Sequence, residues 1–105
     1  MTTLLNILTV DPANQGRLLE MLRDNIDTVI RTLDGWISTT LIESADGTRV
    51  VIHSQWRDAA AVAAMRSDSR MIAYFPKLTA FASFDSILGE VAYSAEATTV
   101  SLGKE

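Results

Sequence analysis

The feature that most constrains this chain is an Asp-Gly pair between two strand-like runs. Asp46-Gly47 separates Trp36–Ser44 from Thr48–Trp56. Glycine accepts the positive φ that a type I′ hairpin turn requires, so the two runs are predicted to pair antiparallel. Side chains alternate along a strand, which gives the second run two distinct faces. One face carries Val50, Ile52, Ser54 and Trp56, and the other carries Val51, His53 and Gln55.

The N-terminal part predicts one strand and one long helix. Thr2–Val10 alternates like a strand, and the asparagine at Asn6 is unusual among the apolar residues of its face. Asp11-Pro12 is typical of a helix start. Apolar residues at helical spacing then predict a helix from Ala13 to about Leu33, ended by Asp34-Gly35.

The C-terminal part predicts two helical segments and a strand. Asp58 is placed to cap a helix over Ala59–Arg66, and the start signal Ser67-Asp68-Ser69 predicts a second helix over about Arg70–Ala82. Pro76 predicts a kink or break near Phe75. Ser86–Val100 resembles one long strand with a bend at Gly89, and the tail Ser101–Glu105 is expected to fray.

The order of these elements is β-α-β-β-α-β within one domain of 105 residues. This order predicts an α+β, ferredoxin-like fold, with a four-stranded antiparallel sheet and the helices on one face. Leu5, Ile7 and Val51 would then form a bare apolar patch on the opposite face. Such a patch predicts a homodimer packed sheet to sheet, with the last strand reaching across to the partner.

Composition excludes several classes of function. The net charge is −4 and the nine basic residues are scattered, which argues against a nucleic-acid partner. There is no cysteine, which removes thiolate chemistry and fits a cytoplasmic location. The N-terminus lacks the features of a signal peptide. The longest apolar run, Ala59–Met65, is too short to cross a membrane.

The residues alone reveal little catalytic machinery. His53 is the single histidine, so no metal cluster is predicted, and it points away from Ser54, which argues against a catalytic triad. A packing or hydrogen-bonding role at the dimer interface is the favoured interpretation for His53. The chain has no dinucleotide, P-loop, zinc-protease or EF-hand motif. What remains is a small dimer with an apolar cavity in which Asn6 is the polar group.

One pattern resembles the antibiotic biosynthesis monooxygenase family. It consists of Gly35-Trp36, the hairpin residues Ala45–Val51 and the strand end Gln55-Trp56-Arg57-Asp58, and the similarity extends from about Leu4 to Val100. The resemblance implies a dimeric α/β barrel fold. It also implies an oxygenase that needs no cofactor and converts an anthrone-type polyketide, phenol or quinol with dioxygen.

The resemblance also implies a site. Trp56 matches the strand-end tryptophan of the anthrone oxygenases, and Asn6 matches an asparagine that some of them have on the first strand. Both are predicted to be catalytic, because neutral N–H donors can stabilise the enolate oxygen of an anthrone. A small apolar aromatic substrate is expected to bind against Leu4, Leu8, Ile52, Met65, Met71, Tyr74 and Phe75.

Departures from the family pattern leave alternatives open. The anthrone oxygenases commonly have a second asparagine four residues before the tryptophan, where this chain has Ile52. This favours a non-catalytic small-molecule-binding or accessory dimer as the second hypothesis, and an isomerase or cyclase is a third. The tryptophan and histidine of the haem-degrading branch fall on Met65 and Phe75, so no imidazole ligand is present. The sequence therefore argues against haem degradation.

Overall fold

The predicted hairpin forms one side of a four-stranded antiparallel sheet. A computed structural model describes residues 1–97. Its strands and helices follow in this order: β1 (Thr2–Val10), α1 (Gln15–Thr28), β2 (Trp36–Glu43), β3 (Arg49–Trp56), α2 (Ala59–Ser67), α3 (Ser69–Thr79) and β4 (Ala82–Gly89). The strand order is β2-β3-β1-β4. This is the ferredoxin-like arrangement, and the fold class predicted from the sequence is confirmed.

The hairpin turn is longer than a two-residue type I′ turn. Residues 44–48 form the loop, in which Gly47 adopts a φ of 80° and its N–H donates to the Ser44 carbonyl at 3.1 Å. The Asp46 carboxylate accepts hydrogen bonds from the Thr48 hydroxyl, the Thr48 N–H and the Ser44 hydroxyl. These bonds, with that from the Thr48 hydroxyl foremost, lower the pKa of Asp46 to about 2. Gly47 therefore has its expected role, and the Asp46 carboxylate organises the wider loop.

Helix α1 is shorter than the periodicity predicts. The chain tightens into 3₁₀ turns at Pro12–Asn14 and Ile30–Thr32, and the regular helix occupies only the interval between them. Helices α2 and α3 begin where capping predicts, because the Asp58 side chain accepts from the Ala61 N–H at 2.9 Å and the Asp68 side chain from the Arg70 N–H at 2.8 Å.

Helix α3 continues through Pro76, where a kink or break was predicted. Pro76 lies only three residues before the end of the helix at Thr79. Proline has no N–H, so the carbonyl of Ile72 loses one backbone hydrogen bond. Ile72 is 58% exposed, so water can approach this part of the helix. No break in α3 is present.

The prediction for the last strand is wrong at both ends. Strand β4 begins at Ala82, opposite Val10, and ends at Gly89, opposite Thr3. Pairing with β1 decides both limits, because β4 has hydrogen-bonding partners only as far as β1 extends. Residues 90–97 have no regular secondary structure. Residues 98–100 of the predicted strand and the predicted frayed tail lie outside the described residues.

The helices cover one face of the sheet and leave the other bare. Alternate residues of β1 are buried beneath the helices, and Leu8 is completely buried. On the opposite face Leu5, Ile7 and Val51 are partly covered, whereas Ile42 and Ile87 are 53% and 55% exposed. Among residues 1–97, no helix has both the length and the apolar character needed to cross a membrane.

Candidate active site

A cavity of about 650 Å³ lies between the sheet and the three helices. Strands β1, β3 and β4 form its floor, and residues of α1, α2 and α3 form its walls. The lining is mostly apolar, with a few polar side chains, which is the usual character of a site for a small organic molecule. Its volume is large enough for a fused-ring aromatic compound.

The structure brings together eight of the nine residues predicted for the site. They are Leu4, Asn6, Ile52, Trp56, Met65, Met71, Tyr74 and Phe75. Leu8 is the exception. It lies two residues after Asn6 on the same face of β1, where its strand partners are Val50 and Phe84. Its side chain does not line the cavity and instead packs into the core with Leu18, Leu22 and Leu78.

Asn6 is the most unusual residue of the cavity floor. Its strand neighbours are Ile52 of β3 on one side and Ser86 of β4 on the other. The residue is 9% exposed, and its Oδ1 atom is buried with no hydrogen-bond partner among residues 1–97. A buried polar atom without a partner typically costs about 1–3 kcal/mol. An amide held at that cost beside a cavity is well placed to bind a polar group of a ligand.

Trp56 lines the same cavity, but its N–H already has a partner. The indole Nε1 donates to the Ser54 hydroxyl at 3.0 Å, and that hydroxyl donates to the Leu4 carbonyl at 3.2 Å. Trp56 is only 1% exposed, and Ser54 is buried beside it. The free indole donor expected from the sequence is therefore engaged by Ser54, and Trp56 contributes mainly its ring to the cavity wall.

Sequence reasoning missed several polar lining residues. Asn25 is buried and donates from Nδ2 to the Met71 sulfur at 3.4 Å. The sequence could have indicated that Asn25 is buried, because it lies three residues after Leu22 on the apolar face of α1. Ser54 shares the Trp56 face of β3, as the alternation itself indicated. Ser86 could not be found, because the start of β4 was misplaced.

The Tyr74 hydroxyl is engaged by a backbone carbonyl. The hydroxyl donates to the Met21 carbonyl at 3.3 Å. Burial, followed by the nearby charge of Asp24, raises the pKa of the phenol well above its usual value. Tyr74 therefore remains a neutral phenol over the whole working pH range and cannot serve as a general base.

The lining contains no imidazole and no carboxylate among the described residues. His53 points to the opposite face of the sheet, where its Nε2 lies 3.4 Å from the Gln55 amide nitrogen and Thr3 donates to the Gln55 side-chain oxygen. Within residues 1–97, no three metal-binding side chains come together. The polar chemistry of the cavity therefore depends on amides, hydroxyls and one arginine.

The mouth of the cavity combines exposed apolar side chains with Arg66. Ile72 is 58% exposed and Phe75 is 42% exposed. Phe75 packs edge-on against Phe84, with ring centroids 5.0 Å apart. The Arg66 guanidinium donates to the Ser86 hydroxyl at 3.3 Å.

Comparison with known proteins identifies relatives of this arrangement. A family model described as antibiotic biosynthesis monooxygenase matches residues 1–77. The tetracenomycin-F1 monooxygenase of Streptomyces glaucescens is 34% identical over 97 residues, which cover 92% of this chain and 87% of the relative.

Solved structures share the fold. The monooxygenase from the gene ActVA-Orf6 of Streptomyces coelicolor, in complex with nanaomycin D, superposes with a TM-score of 0.83 at 23% identity and covers 92% of each chain. The cofactor-independent oxygenase SnoaB of Streptomyces nogalater gives a TM-score of 0.68 at 19% identity, over 92% of this chain and 94% of its own. At these identities the likeness establishes the fold.

Proposed function

Because the chain belongs to the antibiotic biosynthesis monooxygenase family, we propose that it is a cofactor-independent monooxygenase of an anthrone-type polyketide, phenol or quinol. The relative that oxidises tetracenomycin F1 and the cofactor-independent oxygenase of the same fold support this activity. The observation that carries the proposal is the Asn6 side chain, whose Oδ1 atom has no partner among residues 1–97, at the floor of an apolar cavity that fits flat aromatic rings.

The proposed reaction needs little from the protein beyond binding and polarisation. An anthrone loses a proton from its benzylic carbon to give an enolate, which transfers an electron to dioxygen. The carbon then forms a bond to oxygen, and the resulting peroxide loses water to leave a carbonyl group. One oxygen atom of dioxygen enters the product and the other leaves in water, so the substrate and dioxygen supply all the electrons.

Asn6 is proposed to hold the reacting end of the substrate. A hydroxylated anthrone enolate presents an acceptor, the enolate oxygen, next to a donor, the neighbouring phenol. A side-chain amide presents the complementary pair, with Nδ2 donating and Oδ1 accepting. Substrate binding would place the Nδ2 donor on the developing negative charge, and a turn of the amide would let the buried Oδ1 atom accept from the phenol.

Trp56 is proposed to orient the rings from the cavity wall. Its indole N–H contacts Ser54, so it can act as a second donor to the substrate only by giving up that bond. Because the described lining lacks a carboxylate or an imidazole, we propose that the benzylic proton passes to water at the mouth. The dependence of rate on pH should then follow the ionisation of the substrate and not that of a side chain.

Dioxygen consumption with dithranol, without added cofactor, tests the proposal directly. The wild-type protein should accelerate uptake above the buffer rate, and Asn6→Leu should lower the catalysed rate by about 10²–10³-fold, the usual effect of losing one oxyanion donor. Ser83→Ala, on the sheet face away from the cavity, is the matched control and should keep the wild-type rate. A wild-type rate equal to the buffer rate would overturn anthrone oxidation.

A second candidate function is the binding of a small aromatic molecule without turnover. Ile52 favours it, because this apolar residue lies directly opposite Asn6 in the strand register, where the anthrone oxygenases commonly have a second amide. Saturable binding of an anthraquinone together with a dithranol rate equal to the blank would favour this function over catalysis.

We further propose a cytoplasmic homodimer. The exposed apolar residues of the outer sheet face support sheet-to-sheet packing, and residues 90–97, with Val91 59% and Tyr93 85% exposed, are available to contact a partner. The absence of cysteine supports a reducing compartment.

A further inference from the structure

We infer that the cavity selects aromatic substrates that carry a carboxylate, and that Arg66 binds this group at the cavity mouth. The inference rests on the proposed function and deepens it by naming the substrate class. It assigns Arg66 as a specificity-determining residue, separate from the reacting end of the substrate at Asn6.

Arg66 is the single charged residue among the described residues that line the cavity. It has no carboxylate partner within residues 1–97. The ion pairs of residues 1–97 involve Arg31 with Asp27, Arg57 with Asp34 and Asp58, and Arg70 with Asp68. Arg66 instead donates to a neutral hydroxyl, that of Ser86. A guanidinium has five N–H donors, so most of its hydrogen-bonding capacity is left for a ligand.

The contact with Ser86 places the guanidinium on the β4 side of Asn6. Ser86 lies directly opposite Asn6 in the pairing of β4 with β1, and both residues line the cavity. A fused-ring molecule whose reacting oxygen lies at Asn6 could therefore present the end that faces β4 to Arg66. A carboxylate at that end could accept from the guanidinium, and also from the Ser86 hydroxyl.

The chemistry favours a carboxylate over a neutral polar group. A planar guanidinium matches a carboxylate with two parallel hydrogen bonds, and such charge-assisted bonds are stronger than neutral ones. Arg66 is exposed to solvent, which reduces the effect through screening. We expect a preference of about tenfold for the anionic ligand at low salt, decreasing as salt is added.

Arg66 also lies in the last turn of α2, where a positive charge stabilises the helix dipole. That role alone would affect the stability of the protein but not its choice of ligand. Ligand selectivity therefore separates the two roles, and thermal unfolding of each variant reports the helix contribution independently.

Equilibrium binding of two matched ligands tests the inference. Anthraquinone-2-carboxylate and its neutral carboxamide differ in charge at one end of the same rings, and both are already oxidised, so binding is measured without turnover. Titration calorimetry at 20 mM salt should show about tenfold tighter binding of the carboxylate to the wild-type protein. Arg66→Gln should bind the two ligands equally, and Arg66→Lys should keep part of the preference.

Arg70→Gln is the matched control, because Arg70 is an exposed arginine of the neighbouring helix that pairs with Asp68 and does not line the cavity. It should keep the wild-type preference. The inference is overturned if the wild-type protein binds both ligands equally or binds neither, or if Arg66→Gln retains the preference. Because these ligands are not turned over, failure here is distinct from failure of the dithranol assay.

Discussion

At the scale of single residues, the candidate site depends on one amide that the fold leaves unsatisfied. Asn6 occupies a position at which the alternation of β1 calls for an apolar side chain, and its Oδ1 atom has no partner within the described chain. An unsatisfied buried group lowers stability, so its presence is easier to explain by ligand binding than by folding.

Replacing Asn6 with leucine should therefore separate stability from activity. Asn6→Leu removes the unsatisfied amide and fills the same space with apolar atoms, so the free energy of unfolding should stay equal or rise by up to about 1–2 kcal/mol. Urea denaturation measures this change, on the same preparation that loses dithranol oxidation. A loss of several kcal/mol would mean that Asn6 is a structural residue.

A second residue-scale prediction concerns Trp56. Its indole N–H bonds to Ser54, so Trp56→Phe keeps an aromatic wall while it removes part of the buried ring system and a donor that does not face the substrate. We expect the dithranol rate to fall less than tenfold, well short of the effect of Asn6→Leu. Ser54→Ala serves as the companion variant. Equal losses for Trp56→Phe and Asn6→Leu would show that the indole N–H does reach the substrate.

At the scale of elements, the position of α2 over the sheet depends on a glycine before β2. Gly35 has a φ of 86°, and a Cβ atom added there would lie 2.5 Å from the Cβ of Ala61 in α2. Ala61 is buried in one cluster with Trp56 and Met65, both of which line the cavity. The close approach of this loop to α2 therefore helps to set the width of the site.

Substituting this glycine should be costly. Gly35→Ala combines an unfavourable left-handed backbone, worth about 1–2 kcal/mol, with an overpacked contact worth about 1–3 kcal/mol. We expect the free energy of unfolding to fall by about 2–5 kcal/mol in urea titrations. Gly16→Ala is the control, because nothing lies within 4 Å of its added Cβ, and it should be neutral or slightly stabilising. Similar effects from both substitutions would contradict the packing argument.

At the scale of the whole molecule, the sheet has one covered face and one bare face. The exposed isoleucines Ile42 and Ile87 flank the partly covered Leu5, Ile7 and Val51. A contiguous apolar surface of this kind usually marks an interface, and pairing of two sheets would cover it.

Analytical ultracentrifugation should find a species of twice the 11.5 kDa monomer mass. Ile87→Lys places a charge within the proposed interface and should shift the protein towards monomer at micromolar concentration. Ile72→Lys is matched in exposure, 58% against 55%, but lies on the helical side and should remain dimeric. A wild-type monomer, or equal dissociation of both variants, would contradict the sheet-to-sheet interface.

Prediction from the sequence succeeds where the pattern is local. The hairpin around Gly47, the caps at Asp58 and Asp68, and the alternation that puts Asn6 and Trp56 on one face all follow from short-range rules. The prediction fails for β4, whose limits depend on the length of β1, a partner more than seventy residues earlier in the chain.

The sequence by itself determined the order of the elements, the ferredoxin-like fold and which residues of β1 and β3 face the helices, because turn chemistry and side-chain period act over a few residues. The tertiary structure alone decided which of those residues line the cavity. Leu8 and Leu4 share a face of β1, yet Leu8 is sealed by α1 and the end of α3 whereas Leu4 meets the cavity. It also decided that Arg66 meets Ser86, since this contact depends on how α2 packs on the sheet, and it set the side-chain conformations with which Ser54 accepts from the Trp56 N–H within β3.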